Sequence, residues 1–434
     1  MRILVVGINY APDLIGVPKY NTELCEALAA FGHEVRVITA PPYYPEWLVS
    51  EDYRGWSYRR ECVKGVSITR AAIYVPKKPT GAKRLLHHAS FALTSFWPVL
   101  VASLRWRPEV ILSVAPSLLS AAFPAWIARR TGALSWLHLQ DFEVDAAFDL
   151  GLLANRRVRS SMEAIERMIL QSFDRVSTIS PQMVDRLASK HVNGDRIREI
   201  RNWVDTRHIA PDARDQRFRQ ERLGLHERHL ICLYSGAMSN KQGLELIIDA
   251  ARLLNSVDSN IRFVLCGEGP HKGILQGLSA DLNNVQYLNL QTDKSFANLL
   301  KAADVHLIPQ KAEAADLVLP SKLGGILASG KPVIVMAKAG TGLALEVQSA
   351  GIVTPPGDAK TLADSVRSLA DNPSLRSSLG KAARDIALSR WDKKAILASF
   401  EQMLKMSVKE RHDSAGRPLP RAGSKHGIQR SANR

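Results

Sequence analysis

PSKLGGILASGKPVIVM, Pro320–Met336, is the stretch from which the chain can be read outward. Pro320-Ser321 is a helix start, because proline presets a turn φ and serine can cap the first orphan N–H groups. Leu323, Ile326 and Leu327 follow at helical spacing, Gly330 stops the helix, and VIVM reads as a short buried parallel strand. A helix N-terminus at the mouth of an α/β sheet therefore carries Lys322 in its first turn. The helix dipole disfavours a cation there. Lys322 makes sense if an anion lies between it and the free N–H groups, phosphate being the usual guest. A plain solvated lysine is the alternative.

Strands and helices alternate upstream. HLICLYSGAM (His229–Met238), IRFVLCGEGP, VQYLNLQ and DVHLIPQ are strands, and SNKQGLELIIDAARLL is a helix with Leu244, Ile247, Ile248 and Ala251 on one face. Strict alternation predicts a doubly wound α/β domain. Gly236, Lys241, Gln242 and Gly267 fall in turns after strand ends, the side on which such sheets bind ligands. Lys241, Lys322 and the helix N-terminus together suggest a diphosphate cradle.

The first half repeats the scheme. Ile3–Tyr10 is a strand, Gly16 lies in the following loop, Val17–Phe31 is a helix, and EVRVITA is the next strand. A nicotinamide dehydrogenase is disfavoured, since G-x-G-x-x-G is absent from this loop. A lone Gly16 can still let backbone approach a phosphate, or be a turn glycine. Pro41–Trp47, PPYYPEW, reads as a substrate-side loop, placing Tyr43 and Tyr44, with Lys19, on the acceptor side. Ala89–Leu104 is apolar but only sixteen residues long with Pro98 inside, short for a membrane span. It reads either as an interfacial helix between basic flanks or as a buried helix. In HLQDFEVD, an extended chain lines Asp141, Glu143 and Asp145 on one face, which offers a D-x-D metal site or a metal-free site using His138 or an acid. Thr206–Arg228 is polar and reads as an interdomain link.

The length, 434 residues, suggests two domains. The net charge is +16, and the last thirty residues hold eight Lys/Arg against two acids, which predicts a disordered basic tail. Basic residues from Arg54 to Arg107 fit anionic lipid or phosphorylated substrates; no nucleic-acid motif accompanies them. Cys25, Cys62, Cys232 and Cys266 lack metal-like spacing and suit a reducing compartment. MRILVVGINY enters a strand with no signal-peptide layout, so the expected location is cytoplasmic.

Taken together, GHEVRVIT, NWVD, YSG with KQGL, CGEGP, ADVHLIPQ and LASGKPVI resemble the retaining GT-B glycosyltransferases of family 4 across nearly all of Met1–Met406. INYAPDLIGVPKY, ITAPPYYPEW, LHLQDFEVD and LPSKL look like the subgroup that includes the colanic-acid fucosyltransferase. The resemblance implies two Rossmann-like doubly wound domains facing a central cleft. Its divisions here are an acceptor domain over 1–205, a link over 206–228, a nucleotide-sugar domain over 229–391, a helix over 392–406 crossing back to the first domain, and the tail over 407–434. It implies sugar transfer with retention, no metal, a nucleotide-sugar donor such as GDP-fucose, and a lipid-linked oligosaccharide acceptor at the cytoplasmic membrane face. Carried over by position, Gly16 lies near the donor phosphates, and His138 or Asp141 near the reacting sugar. Gly236, Lys241, Gln242, Gly267, Ser321, Lys322 and Leu323 are the donor-binding set. The sequence departs from the family at Ala237, where arginine is usual, and at Gln242, where lysine is usual. The family's paired glutamates fall on Leu317 to Gly325, with Glu313 and Asp316 out of register. These departures keep a second expectation open, a catalytically silent scaffold that binds nucleotide sugar or lipid.

Overall fold

The computed structural model describes residues 1–13, 16–142, 144–145, 156–211, 216–255, 260–311 and 319–415. It contains two sheets. The first is built from β1 (Arg2–Gly7), β2 (Glu34–Thr39), β3 (Arg59–Val63), β4 (Val66–Arg70), β5 (Val110–Ala115), β6 (Leu134–Leu139), β7 (Arg175–Thr178) and β8 (Ile197–Glu199). Their order is β3-β4-β2-β1-β5-β6-β7-β8, parallel except for the β3–β4 hairpin. The second holds β9 (Leu230–Ser235), β10 (Ile261–Cys266), β11 (Val285–Leu288), β12 (Val305–Pro309), β13 (Val333–Met336) and β14 (Gly351–Thr354). Its order is β11-β10-β9-β12-β13-β14, all parallel. Central strands such as β5, β9 and β13 are buried along their whole length, as sheets covered on both faces require. Chain order reverses at β1 in one sheet and at β9 in the other, which places a ligand crevice beyond each of these strand ends.

The stretch Pro320–Met336 forms a helix over Lys322–Ala328 and then β13, with Gly330 at φ 67 between them. Ile326 and Leu327 lie in the second core, as their spacing predicts.

Two segment expectations need correction. Thr206–Arg228 is more than a link: it contains the helix Gln216–Leu223, and Phe218, Leu223 and Leu225 belong to the second core. Arg219 there is fully buried and pairs with Asp304 at 3.2 Å, so the polar composition hid an internal ion pair. The last helix runs over Lys393–Ala415, beyond Met406, so the first residues of the expected tail are helical; 416–434 lie outside the described residues. Leu397, Phe400, Leu404 and Val408 of this helix pack into the first core, with Phe400 edge-on to Trp136 at 5.3 Å. The C-terminal end of the chain therefore covers the N-terminal sheet.

Ala89–Leu104 lies inside one helix, Gly81–Arg105. Phe91, Ser95 and Val99 form a buried stripe, while Leu86, Leu93, Trp97 and Leu104 are exposed on the opposite side. The helix is thus buried on one face and exposed and apolar on the other. Pro98 removes the N–H that the Thr94 carbonyl would use, and the Tyr58 hydroxyl donates to that carbonyl at 2.8 Å instead.

Candidate active site

The two domains meet with the C-terminal ends of their strands toward each other. Pro181–Ser189, the helix after β7, touches Gly342–Val347, the helix after β13. A Cβ on Gly342 would lie 2.4 Å from the Gln182 side chain. Beside it, buried Glu346 accepts from Arg201 of the first domain at 2.8 Å and from the Trp391 indole at 2.9 Å.

On the second domain, Tyr234 lies near the end of β9 and the chain turns at Gly236 with φ 144. Lys322 Nζ lies 4.1 Å from the Tyr234 ring centroid, and a Cβ on Gly236 would sit 3.3 Å from that Nζ. Burial pushes the Lys322 ammonium down to about 7. Among the described residues no carboxylate lies within ion-pair distance of it. Lys322 is thus a half-buried cation that faces a glycine, with no acid beside it among the described residues, and this suits an anion.

The neighbouring positions divide. Gly267 has φ 148, and its Cβ would lie 1.9 Å from the Gly236 carbonyl oxygen. Gly236 N donates to Cys266 O and Met238 N to Glu268 O, both at 2.9 Å, so two loop backbones are fused here. Loop packing by itself therefore requires a glycine at 267. Leu323 is corrected: its side chain is fully buried in the core and its N–H donates to Pro320 O at 2.9 Å. Ser321 precedes the helix and is exposed, but its side chain makes no cap bond, because its backbone is already helical (φ −57, ψ −25). Gln242 is half-buried in the turn Asn240–Gln242; the side chain of Lys241, in the same turn, is outside the description. The structure adds Lys311, whose Nζ donates to Asn240 Oδ1 at 2.6 Å and whose stem lies against Gly243. Its signal was its place just after β12, the same kind of position as Lys241. Glu313, Asp316 and Leu317 lie outside the described residues.

On the first domain, Gly16 precedes the helix Val17–Ala30 with φ 75, and a Cβ there would meet nothing within 4 Å. Lys19 and Tyr44 are exposed, and Tyr43 is buried. The Asp13 carboxylate accepts the N–H groups of both tyrosines at 3.3 Å. His138 is enclosed. Gln140 Nε2 donates to its Nε2 at 3.1 Å, so its Nδ1 carries the proton and donates to Ser177 Oγ at 2.9 Å. Burial lowers it to about 4. Neutral and engaged at both nitrogens, His138 is an anchor for the end of β6, which corrects the expectation of direct contact with the sugar. Asp141 is exposed, and its carboxylate accepts from Phe142 N at 2.8 Å. The expected acidic face does not form among the described residues. Asp145 turns inward to Arg186 at 2.9 Å and Lys190 at 3.0 Å, and Glu143 is outside the description. Burial alone would raise Asp145, but the bonds from Arg186 and Lys190 outweigh it and hold the carboxyl below its usual range. Among the described residues no group of three His, Cys, Asp or Glu side chains could hold a metal.

Two Rossmann-like sheets in one chain are the architecture of the GT-B transferases. The chain matches the Glycosyl transferase 4-like domain over residues 16–203 and Glycosyl transferases group 1 over residues 215–386. It is 40% identical over 411 residues to the "Putative colanic acid biosynthesis glycosyl transferase WcaI" of Escherichia coli (strain K12), covering 92% of this chain and 98% of that one. It is 24% identical over 424 residues to a glycogen synthase of Mycobacterium tuberculosis, covering 93% and 94%. Among solved structures, sucrose-phosphate synthase from Thermosynechococcus elongatus superposes with TM-score 0.69 at 19% identity, over 94% of this chain and all of that one. Anabaena Alr3699/HepE in complex with UDP-glucose gives 0.65 at 15%, with the same coverage. The chain belongs to the GT4-like GT-B glycosyltransferase family, and it is a glycosyltransferase.

Proposed function

We propose that this enzyme transfers a sugar, with retention and without a metal, from a nucleotide-sugar donor to a lipid-linked exopolysaccharide intermediate at the cytoplasmic membrane face. The observation that carries the donor side is the desolvated Lys322 facing Gly236. Support for an exopolysaccharide pathway of the colanic-acid type comes from the 40% identical relative, and GDP-fucose is the first donor to test. As the diphosphate leaves, negative charge grows on it. Lys322 and Lys311 would stabilise that charge by up to about 3 kcal/mol each. Attack from the same face of the sugar, with the departing phosphate taking the acceptor's proton, needs no protein nucleophile. Asp141, the exposed acid after β6, would face the positive charge developing on the sugar. Domain closure would exclude water, the competing acceptor.

The membrane assignment rests on the helix Gly81–Arg105. Its exposed Leu86, Leu93, Trp97 and Leu104, with basic residues at both ends, suit a bilayer interface.

Thermal unfolding with GDP, UDP and dTDP in turn tests the donor. A ligand at 100 times its Kd adds about 2.7 kcal/mol. One diphosphate that raises Tm, followed by transfer from its sugar conjugate to a lipid-linked acceptor, supports the proposal. A stabilising nucleotide whose sugar is never transferred refutes it.

A further inference from the structure

The first turns of the helix Gly81–Arg105 hold three buried nitrogens that have no hydrogen-bond partner among the described residues: Arg84 Nε, His87 Nε2 and His88 Nδ1. They come from positions i, i+3 and i+4 and share one face. Native interiors leave few such atoms, and three in one turn call for an explanation.

That face packs on the loop after β2. The His87 ring lies 4.8 Å from Tyr43 and 5.1 Å from Trp47, the His88 ring 5.2 Å from His87, and the Arg84 guanidinium 5.4 Å over Trp47. His87 is fully buried, and its Nδ1 donates to Tyr74 O at 2.6 Å, which leaves Nε2 with the lone pair. The loop is pinned by Asp13 and by Asn9, whose amide donates to the Tyr43 hydroxyl at 3.2 Å. Trp47 is held in the left-handed region at φ 54, a strained conformation for a bulky residue and one that clusters at ligand sites. The cluster sits at the C-terminal ends of β1 and β2, on the ligand side of the sheet.

The chemistry selects an anion. Between Glu61 and Glu109 the chain has eight Lys or Arg and no acid. Arg84 supplies a permanent charge. Arg84 Nε–H is a donor that lacks an acceptor, and burial lowers His87 to about 4, so its neutral Nε2 can accept from a protonated phosphate oxygen or a hydroxyl of the same ligand. The opposite side of the same helix is the exposed apolar stripe. One helix therefore joins a hydrocarbon-facing surface to an anion-seeking turn, the arrangement a lipid diphosphate requires.

We propose that the turn Arg84–His88, preceded in the chain by Lys77, Lys78 and Lys83, binds the diphosphate of the lipid-linked acceptor. This rests on the acceptor class proposed above. An anionic lipid headgroup offers the same phosphate chemistry, and the test separates the two.

Full-length protein, with saturating nucleoside diphosphate to fill the donor cradle, is titrated with farnesyl diphosphate, with farnesol and with phosphatidylglycerol vesicles. Arg84→Gln and His87→Gln are compared with the parent. The expected result is that the parent prefers the diphosphate to farnesol and that each variant loses about ten-fold in affinity for the diphosphate. Vesicle binding should change less than about two-fold. The site is refuted if Arg84→Gln binds the diphosphate as the parent does, or if the parent binds farnesol equally well. An equal loss on phosphatidylglycerol also refutes it, in favour of a headgroup site. Tm and nucleotide binding of each variant are measured in parallel. A chain that folds and binds nucleotide but shows no diphosphate preference loses this site and keeps the donor assignment.

Discussion

The loops after β1 and after β9 occupy the same place in the two sheets, at the strand where chain order reverses, yet they are built differently. After β9 the loop is tightly packed: Gly236 N and Met238 N donate to the end of β10 and the loop after it, and a Cβ on Gly267 or Gly269 would lie 1.9 or 2.2 Å from a carbonyl oxygen. After β1, Gly16 faces open space, and the adjoining cluster of Arg84, His87 and His88 keeps buried nitrogens unpartnered. The difference suits the two ligands proposed for them. A nucleoside diphosphate leaves each turnover in one geometry and rewards a rigid cradle. An acceptor arriving from a lipid surface rewards groups satisfied only when it is present.

The comparison can be broken at Gly267. Gly267→Ala should destabilise the second domain by on the order of 3 kcal/mol or more, since backbone must move on both loops. Denaturant unfolding measures it; a loss below about 1 kcal/mol would mean the fused loops are soft.

Lys322→Met sharpens it. Transfer should fall on the order of a hundred-fold through the lost leaving-group contact. Stability should change in the opposite sense. Free Lys322 titrates near 7 instead of 10.5, so between those pH values the unfolded chain binds the extra proton and stability rises with pH. The variant removes that slope and should be more stable near neutral pH, by on the order of 1 kcal/mol after allowance for solvent screening. Unfolding at several pH values decides it; an identical slope in both proteins shows that Lys322 is ordinarily charged.

Gly16→Ala should disturb no packing, because the side chain meets nothing; its cost is backbone strain alone, about 1–3 kcal/mol for φ 75 with ψ −132, a conformation that favours glycine. Nucleotide affinity is the informative readout. If it drops well beyond the stability change, backbone at residue 16 approaches the phosphates; if it stays, Gly16 is a turn residue.

Much of the fold was legible because periodicity and turn residues report local structure. The strands around Ile3–Gly7, Leu230–Ser235 and Val333–Met336, the stop at Gly330 and the helix start at Pro320 followed from neighbours in sequence. The candidate site was legible in part. Lys322 stood out because a cation in a first turn contradicts the dipole. Lys311 was missed because a single lysine after a strand carries no such contradiction. Gly267 and Gly16 looked alike, because a glycine in sequence says only that a Cβ is excluded and not which atom excludes it.

By itself the sequence determined the two α/β halves, the absence of a dinucleotide fingerprint and the resemblance to family-4 GT-B enzymes, since these depend on residues close along the chain. Tertiary structure alone decided that His138 is sealed between Gln140 and Ser177 and that Asp145 turns to Lys190. It also decided that Arg219 is buried inside an apparent linker, and that Arg84, His87 and His88 converge on Trp47. The roles of these side chains depend largely on partners far along the chain, Ser177 being 39 residues from His138 and Asp304 85 from Arg219, and no local pattern encodes which polar group will be desolvated and which will be satisfied.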